Sequence, residues 1–275
     1  MLDLNRLYDE RVVYSIPGME QARVREGLVY RTLADGEELK LDIYYPATYT
    51  PGVPLPTAIL VHGDWPAHII RHSNDLGVYV SWGQLIAASG VIAVNFNHRS
   101  TERLTRVSDA ASDVAQLLGY VRYNAEALDI ASDNLCIWAF SAGVPLGMWA
   151  AMHDTPDYVR AIVAYYGVMD LNEVREVLDP LIPEQNLNDF SALHYLEEYQ
   201  GKIAPMLIAK AGLDSPQLNA SIDRFVAQAQ ALGAPVELLV HPQGRHGFDV
   251  LNDDARSREI IQRTLDFVRY SLGTV

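Results

Sequence analysis

Three residues of this chain, in the order Ser141, Asp214, His246, are of the types that perform nucleophilic acyl chemistry. A serine hydroxyl attacks a carbonyl only when a base lies within hydrogen-bond reach, and an imidazole serves as that base when a carboxylate fixes its tautomer and stabilises the imidazolium. Ser141 ends the apolar run Leu135-Cys136-Ile137-Trp138-Ala139-Phe140 and is followed by Ala142-Gly143 and a helix-compatible stretch. That context matches a nucleophile elbow, a strained strand-to-helix turn that exposes the hydroxyl and needs small residues two positions to either side. Here the pattern is A-x-S-x-G, with Ala139 where a glycine is usual. A serine before Ala-Gly also reads as a helix N-cap, so the pentapeptide alone leaves both roles open.

The remaining chemistry is spread along the chain. Met206 to Asp214 reads as a strand ending in Gly212-Leu213-Asp214, and Glu237 to His241 as a strand followed by Gly244-Arg245-His246-Gly247-Phe248. Asp214 has two competitors for its role: it is placed to cap the helix that starts at Pro216, and Asp170 after the preceding strand is a second candidate acid. Among the eight histidines, His62 belongs to an upstream strand, while His98, His153, His194 and His241 lack a glycine-bounded loop after a late strand. His68 and His72 have helical spacing for a metal but no glutamate between them to make H-E-x-x-H, so no metal site is expected. Upstream, Ile59-Leu60-Val61-His62-Gly63-Asp64-Trp65 places His-Gly at the end of a core strand. There the backbone N–H of Asp64, or that of Trp65, is positioned to join that of Ala142 in an oxyanion hole, where each donor stabilises a transition state by about 3–4 kcal/mol. The Asp64 carboxylate would oppose the developing charge unless it is turned away or paired. Trp65, Phe140 and Phe248 are candidates for an apolar wall around a small acyl group, with core packing as the other reading.

These residues need a scaffold that brings three loops to one rim. Gly27 to Thr32 and Leu39 to Tyr45, separated by Ala34-Asp35-Gly36, read as a hairpin. From Pro56 onward apolar strands alternate with amphipathic helices. The strands are Thr57 to His62, Val91 to Asn97, Leu135 to Phe140, Ala161 to Tyr166, Pro205 to Ala211 and Val236 to His241. The helices are Tyr79 to Ala88, Val107 to Leu128, Ala142 to His153, Pro216 to Leu232 and Asp254 to Leu272. The predicted fold class is α/β: a mostly parallel sheet with antiparallel N-terminal strands and helices on both faces. One domain over 1–275 is expected, with the acidic segment 172–202 either a small cap insertion over the site or a surface excursion with one or two helices.

Composition narrows the partners. With 21 Lys+Arg against 35 Asp+Glu the formal charge is −14, which disfavours nucleic acid and anionic membranes. The sole cysteine, Cys136, sits in an apolar run, as a buried free thiol does. The charged N-terminus lacks signal-peptide character, and no apolar run reaches the ~18 residues that span a bilayer. A cytoplasmic location is the expectation, and a homodimer is a possible assembly on frequency alone.

The order of β-hairpin, His-Gly loop, Phe-Ser-Ala-Gly elbow, Gly-Leu-Asp and Arg-His-Gly-Phe resembles the α/β-hydrolase superfamily, from about Leu28 to the C-terminus. Within it the chain is similar to the dienelactone hydrolase-like and acetyl- or xylan-esterase-like branches. Leu41-Asp42-Ile43-Tyr44-Tyr45-Pro46 and His246-Gly247-Phe248 resemble small carboxylesterases in particular. The dienelactone enzymes proper use a cysteine nucleophile, whereas this elbow carries Ser141. The resemblance implies hydrolysis of small carboxylic esters through an acyl-enzyme, without a cofactor, with the catalytic roles falling on Ser141, Asp214 and His246. The alternatives are a peptidase or amidase of the same fold and a non-catalytic hydrolase-fold binding protein.

Overall fold

Strands whose successive side chains are all apolar are stable only when both faces of their sheet are covered. The computed structural model, which describes residues 4–154, 156–175, 182–198 and 203–274, covers them in this way. Eight strands form one sheet: β1 (Arg23–Thr32), β2 (Glu38–Tyr45), β3 (Leu55–Val61), β4 (Ile92–Phe96), β5 (Ile130–Phe140), β6 (Val159–Tyr165), β7 (Met206–Ala211) and β8 (Val236–His241). Their order is β1-β2-β4-β3-β5-β6-β7-β8. β2 pairs antiparallel with β1 and β4, and every other pair is parallel.

The helices are α1 (Leu4–Asp9), α2 (Ala67–Ile70), α3 (Gly77–Ala88), α4 (Val107–Tyr123), α5 (Gly143–Met152), α6 (Glu184–Asp189), α7 (Ala192–Glu198), α8 (Pro216–Ala231), α9 (Phe248–Leu251) and α10 (Ala255–Ser271). The period-2 alternation of the strands divides the interior into two cores. Leu135, Ile137 and Ala139 of β5 join Val114 and Leu117 of α4 and Phe225 of α8 on one face. Cys136, Trp138 and Phe140 join Trp82 and Leu85 of α3 and Ile260 and Leu265 of α10 on the other.

The predicted elements are present, with shifted ends. β1 starts at Arg23, earlier than predicted, because a register shift between Arg25 and Leu28 breaks the alternation; Gly27 there has φ +68° and its N–H donates to Asp42 Oδ1 at 2.7 Å. β5 begins at Ile130, where polar Ser132, Asp133 and Asn134 hide the apolar pattern, yet Ile130 pairs with Leu55. α4 stops at Tyr123 instead of Leu128, closed by the Asn124 side chain, which donates to the Tyr120 carbonyl at 2.8 Å.

Segment 172–202 is described in part: residues 176–181 and 199–202 lie outside the described residues. Leu187, Phe190, Tyr195 and Leu196 of its described part are buried in the core that holds α4, α5 and α8.

Candidate active site

The chain leaves β3 for β4 on one side and reaches β5 on the other, so a crevice opens beyond the carboxyl ends of these strands. The loops after β3, β5, β6, β7 and β8 all end there. After β5 the chain turns at Ser141, whose φ of +52° lies in the left-handed region that side chains avoid. The turn is held by the Ser141 N–H donating to the Tyr165 carbonyl at 3.0 Å and by the Val144 N–H donating to the Ser141 carbonyl at 3.0 Å. Gly143 is required: a Cβ there would collide with the carbonyl oxygens of Val61 and His62. The methyl of Ala139, where a glycine is usual, is accommodated from α5. A Cβ on Gly147 would lie 2.6 Å from the Ala139 Cβ, so the helix supplies the clearance that the elbow does not.

Ser141 is not a helix cap; its hydroxyl donates to His246 Nε2 at 2.7 Å. His246 Nδ1–H donates to Asp214 Oδ2 at 2.5 Å. The other oxygen of Asp214 accepts the Ser215 N–H at 2.9 Å, while Ser215, not Asp214, caps α8 by accepting the Leu218 N–H at 3.2 Å. The alternative acid, Asp170, is engaged elsewhere: Oδ1 accepts from Asn172 N and Ser191 Oγ, and Oδ2 from Arg224. The Asp214 side chain is 12% exposed and that of His246 43%, so the carboxylate is sheltered while the imidazole faces the crevice.

Gly63 brings the β3 loop against the nucleophile, where a Cβ would lie 3.1 Å from the Ser141 Cβ. Its N–H donates to the Tyr79 hydroxyl at 3.2 Å. The Asp64 carboxylate is turned away from the crevice and paired. Oδ1 accepts from Ser100 Oγ (2.9 Å) and Thr101 N (3.0 Å), and Oδ2 from Thr101 Oγ1 (2.7 Å) and Arg103 N (3.2 Å). The backbone N–H groups of Asp64 and Ala142 have no protein acceptor among the described residues. Two buried imidazoles back this loop: His62 and His98 stack at 3.8 Å between ring centroids with their planes 5° apart. His62 Nδ1–H donates to the Gly63 carbonyl at 2.7 Å. Burial holds both well towards the neutral form, and for His62 the neighbouring His98 adds to this.

A cavity of about 280 Å³ opens at Ser141 and His246, lined among others by Trp65, Val78, Tyr79, Phe140, Tyr166 and Leu251. Trp65 and Phe140 both border this cavity, Phe140 while also packing in the core with Trp82 and Trp138. Phe248 does not: it is fully buried against Tyr165, Tyr166 and His241, because the left-handed Gly247 (φ +78°) turns α9 into the core. No described residue of segment 172–202 borders the cavity, whereas Glu10, just after α1, does. Tyr79 and Tyr166 escape sequence reading, since a tyrosine in an apolar run looks like core. The available signal is that a buried phenol needs a partner. Burial pushes the Tyr79 hydroxyl up to about 12, so it stays neutral. Among the described residues no group of three or more His, Cys, Asp or Glu is arranged to hold a metal ion.

A family model described as BD-FAE matches residues 41–199. Among curated proteins, the non-reducing polyketide synthase adrD of Penicillium roqueforti is 29% identical over 150 residues, which cover 50% of this chain and 6% of that protein. The chain thus spans a small fraction of that relative. Among solved structures, the esterase Est2 of the planctomycete Thermogutta terrifontis superposes in its native form with a TM-score of 0.72 at 20% identity, covering 92% of this chain and 94% of that one. The same esterase phosphorylated by paraoxon gives 0.69 at 20% identity, covering 94% of each chain. Its propionate-bound form gives 0.69 at 21%, covering 94% and 96%. At these identities the likeness establishes the α/β-hydrolase fold.

Proposed function

Since the chain belongs to the BD-FAE family, we propose that it is a serine carboxylesterase that cleaves small carboxylic esters. One observation carries this reading: the hydrogen-bonded line from the Ser141 hydroxyl through His246 to Asp214. In the proposed cycle His246 Nε2 takes the hydroxyl proton as Ser141 Oγ attacks the ester carbonyl, and Asp214 supports the imidazolium. The N–H groups of Asp64 and Ala142 hold the oxyanion, while the Asp64 carboxylate stays bound to Ser100 and Thr101. His246 then protonates the departing alcohol. A water, deprotonated by His246, attacks the acyl-enzyme and frees the acid; the cycle calls for no metal or organic cofactor.

A cavity of about 280 Å³ lies at the small end of ligand sites and supports a short acyl group. The fold relative from Thermogutta is described with propionate and with butyrate bound and as modified by organophosphates, which agrees with that choice. The partner in this reading is a small ester and neither nucleic acid nor membrane, which the net charge of −14 supports. Among the described residues no helix is long and apolar enough to cross a membrane. A buried free Cys136 fits a reducing, cytoplasmic compartment, and a homodimer remains the proposed assembly.

The test is hydrolysis of p-nitrophenyl esters from acetate to decanoate, with paraoxon labelling followed by mass spectrometry. Turnover falling steeply beyond butyrate, with the label on Ser141, is expected. No turnover on any ester would overturn the esterase reading; a labelled but inactive protein would then point to amide substrates, and an unlabelled one to a non-catalytic role.

A further inference from the structure

One buried charge lies beside the site without a part in the cycle above. Asp249 is fully buried, three residues after His246. Its carboxylate accepts the Trp82 indole N–H at 2.9 Å and the Tyr166 hydroxyl at 2.6 Å. Its backbone carbonyl accepts the Val13 N–H at 2.8 Å. A second observation points to the same place. Tyr166, the residue after β6, has φ +39°, a strained conformation for a residue with a bulky side chain. Its N–H donates to the Ala209 carbonyl at 2.7 Å, so the neighbouring strand β7 holds the strained backbone. The strained tyrosine lines the cavity, and its ring lies against the His246 imidazole at 4.8 Å between centroids and 59° between planes.

We propose that Tyr166, anchored by Asp249, is a positioning residue for His246: its ring limits rotation of the imidazole about its long axis and stabilises the imidazolium that forms during acyl transfer. The physical basis is twofold. Asp214 and Ser141 hold the two nitrogens of His246, an axis about which the ring can still turn, and the Tyr166 ring packed beside it at 59° limits that turning. A ring within about 6 Å of a cation also attracts it through its quadrupole. The phenol cannot swing away, because its hydroxyl is tied to a carboxylate that Trp82 fixes from the other side. The charged or titratable groups around the imidazole are Asp214 from the loop after β7, Tyr166 from the loop after β6 and Asp249 from α9, with Glu10 on the same cavity.

This role rests on the esterase reading, so its test includes a readout independent of turnover. The ring protons of His246, assigned by their loss in His246→Gln, are titrated by NMR in wild type and in Tyr166→Leu, and kcat and KM are measured beside them. The titration midpoint of His246 should fall in Tyr166→Leu, since the ring no longer stabilises the cation, with kcat down several-fold and KM within about twofold. An unchanged midpoint in a folded Tyr166→Leu would overturn the proposal. Should that variant not fold, Tyr166→Phe keeps the ring and loses only its anchor. A several-fold lower kcat at unchanged KM is then expected, and wild-type kcat would overturn the proposal. If wild type hydrolyses no ester, the esterase reading fails while the titration still decides the role of Tyr166.

Discussion

At the scale of single residues, the chemistry depends on which atom each polar group faces. Ser141→Ala removes the hydroxyl oxygen poised against His246 Nε2, and kcat on p-nitrophenyl acetate should fall by about 10⁴–10⁶-fold with far-ultraviolet circular dichroism unchanged. Asp214→Asn leaves the shape but presents an amide to His246 Nδ1, so a loss of about 10⁴-fold is expected, the size seen for that exchange in serine proteases. Asp170→Asn, by contrast, should keep near-wild-type kcat, since Asp170 contacts Ser191 and Arg224 and not the histidine. Asp64 makes a finer case. Its four hydrogen bonds to the segment Ser100 to Arg103 both neutralise an awkward carboxylate and hold the oxyanion loop. Asp64→Ala should therefore lower kcat by up to about 10²-fold, approaching the loss of an oxyanion donor, with little change in KM.

At the scale of elements, the elbow works because α5 approaches β5 at Gly147, which leaves room for the Ala139 methyl. Exchanging glycine for alanine inside a helix ordinarily stabilises by about 1 kcal/mol. At Gly147 the sign should reverse, because the new methyl meets the Ala139 Cβ, and overpacking of this kind costs about 1–3 kcal/mol. Urea denaturation of Gly147→Ala should show the loss. The double variant Ala139→Gly, Gly147→Ala should recover part of it, because it moves the missing methyl from one side of the contact to the other. If the two substitutions destabilise additively, the contact does not govern the A-x-S-x-G elbow.

At the scale of the whole molecule, a buried histidine pair and a buried thiol set how the protein responds to its surroundings. His62 and His98 are held neutral below their ordinary value of 6.5, chiefly by burial. An unfolded chain takes up a proton at each as the pH falls through that value, and the folded chain does not. Folded stability should therefore decline as pH drops below about 6.5, by up to about 1.4 kcal/mol per pH unit for each histidine. Urea midpoints at pH 7.5 and 5.5 should show this, and His98→Gln should flatten the dependence. Cys136 behaves as an inert core group, buried and with its thiol pushed up by desolvation, so thiol reagents should label it only on unfolding.

What the sequence determined by itself is whatever depends on local pattern. The alternation of apolar runs and helical stripes dictated the parallel sheet, and a serine, an aspartate and a histidine at the ends of three such runs had to share one rim. Local pattern also left open which carboxylate faces His246, what Asp64 does with its charge, and whether Phe248 lines a wall or a core. Those were decided only by tertiary structure. Ser100 and Thr101 reach Asp64 from 36 residues away or more, Tyr166 meets Asp249 across 83, and Gly147 makes room for Ala139 from the next element. Packing distance, not sequence distance, sets the strength of a hydrogen bond or a collision, and only the folded chain defines it.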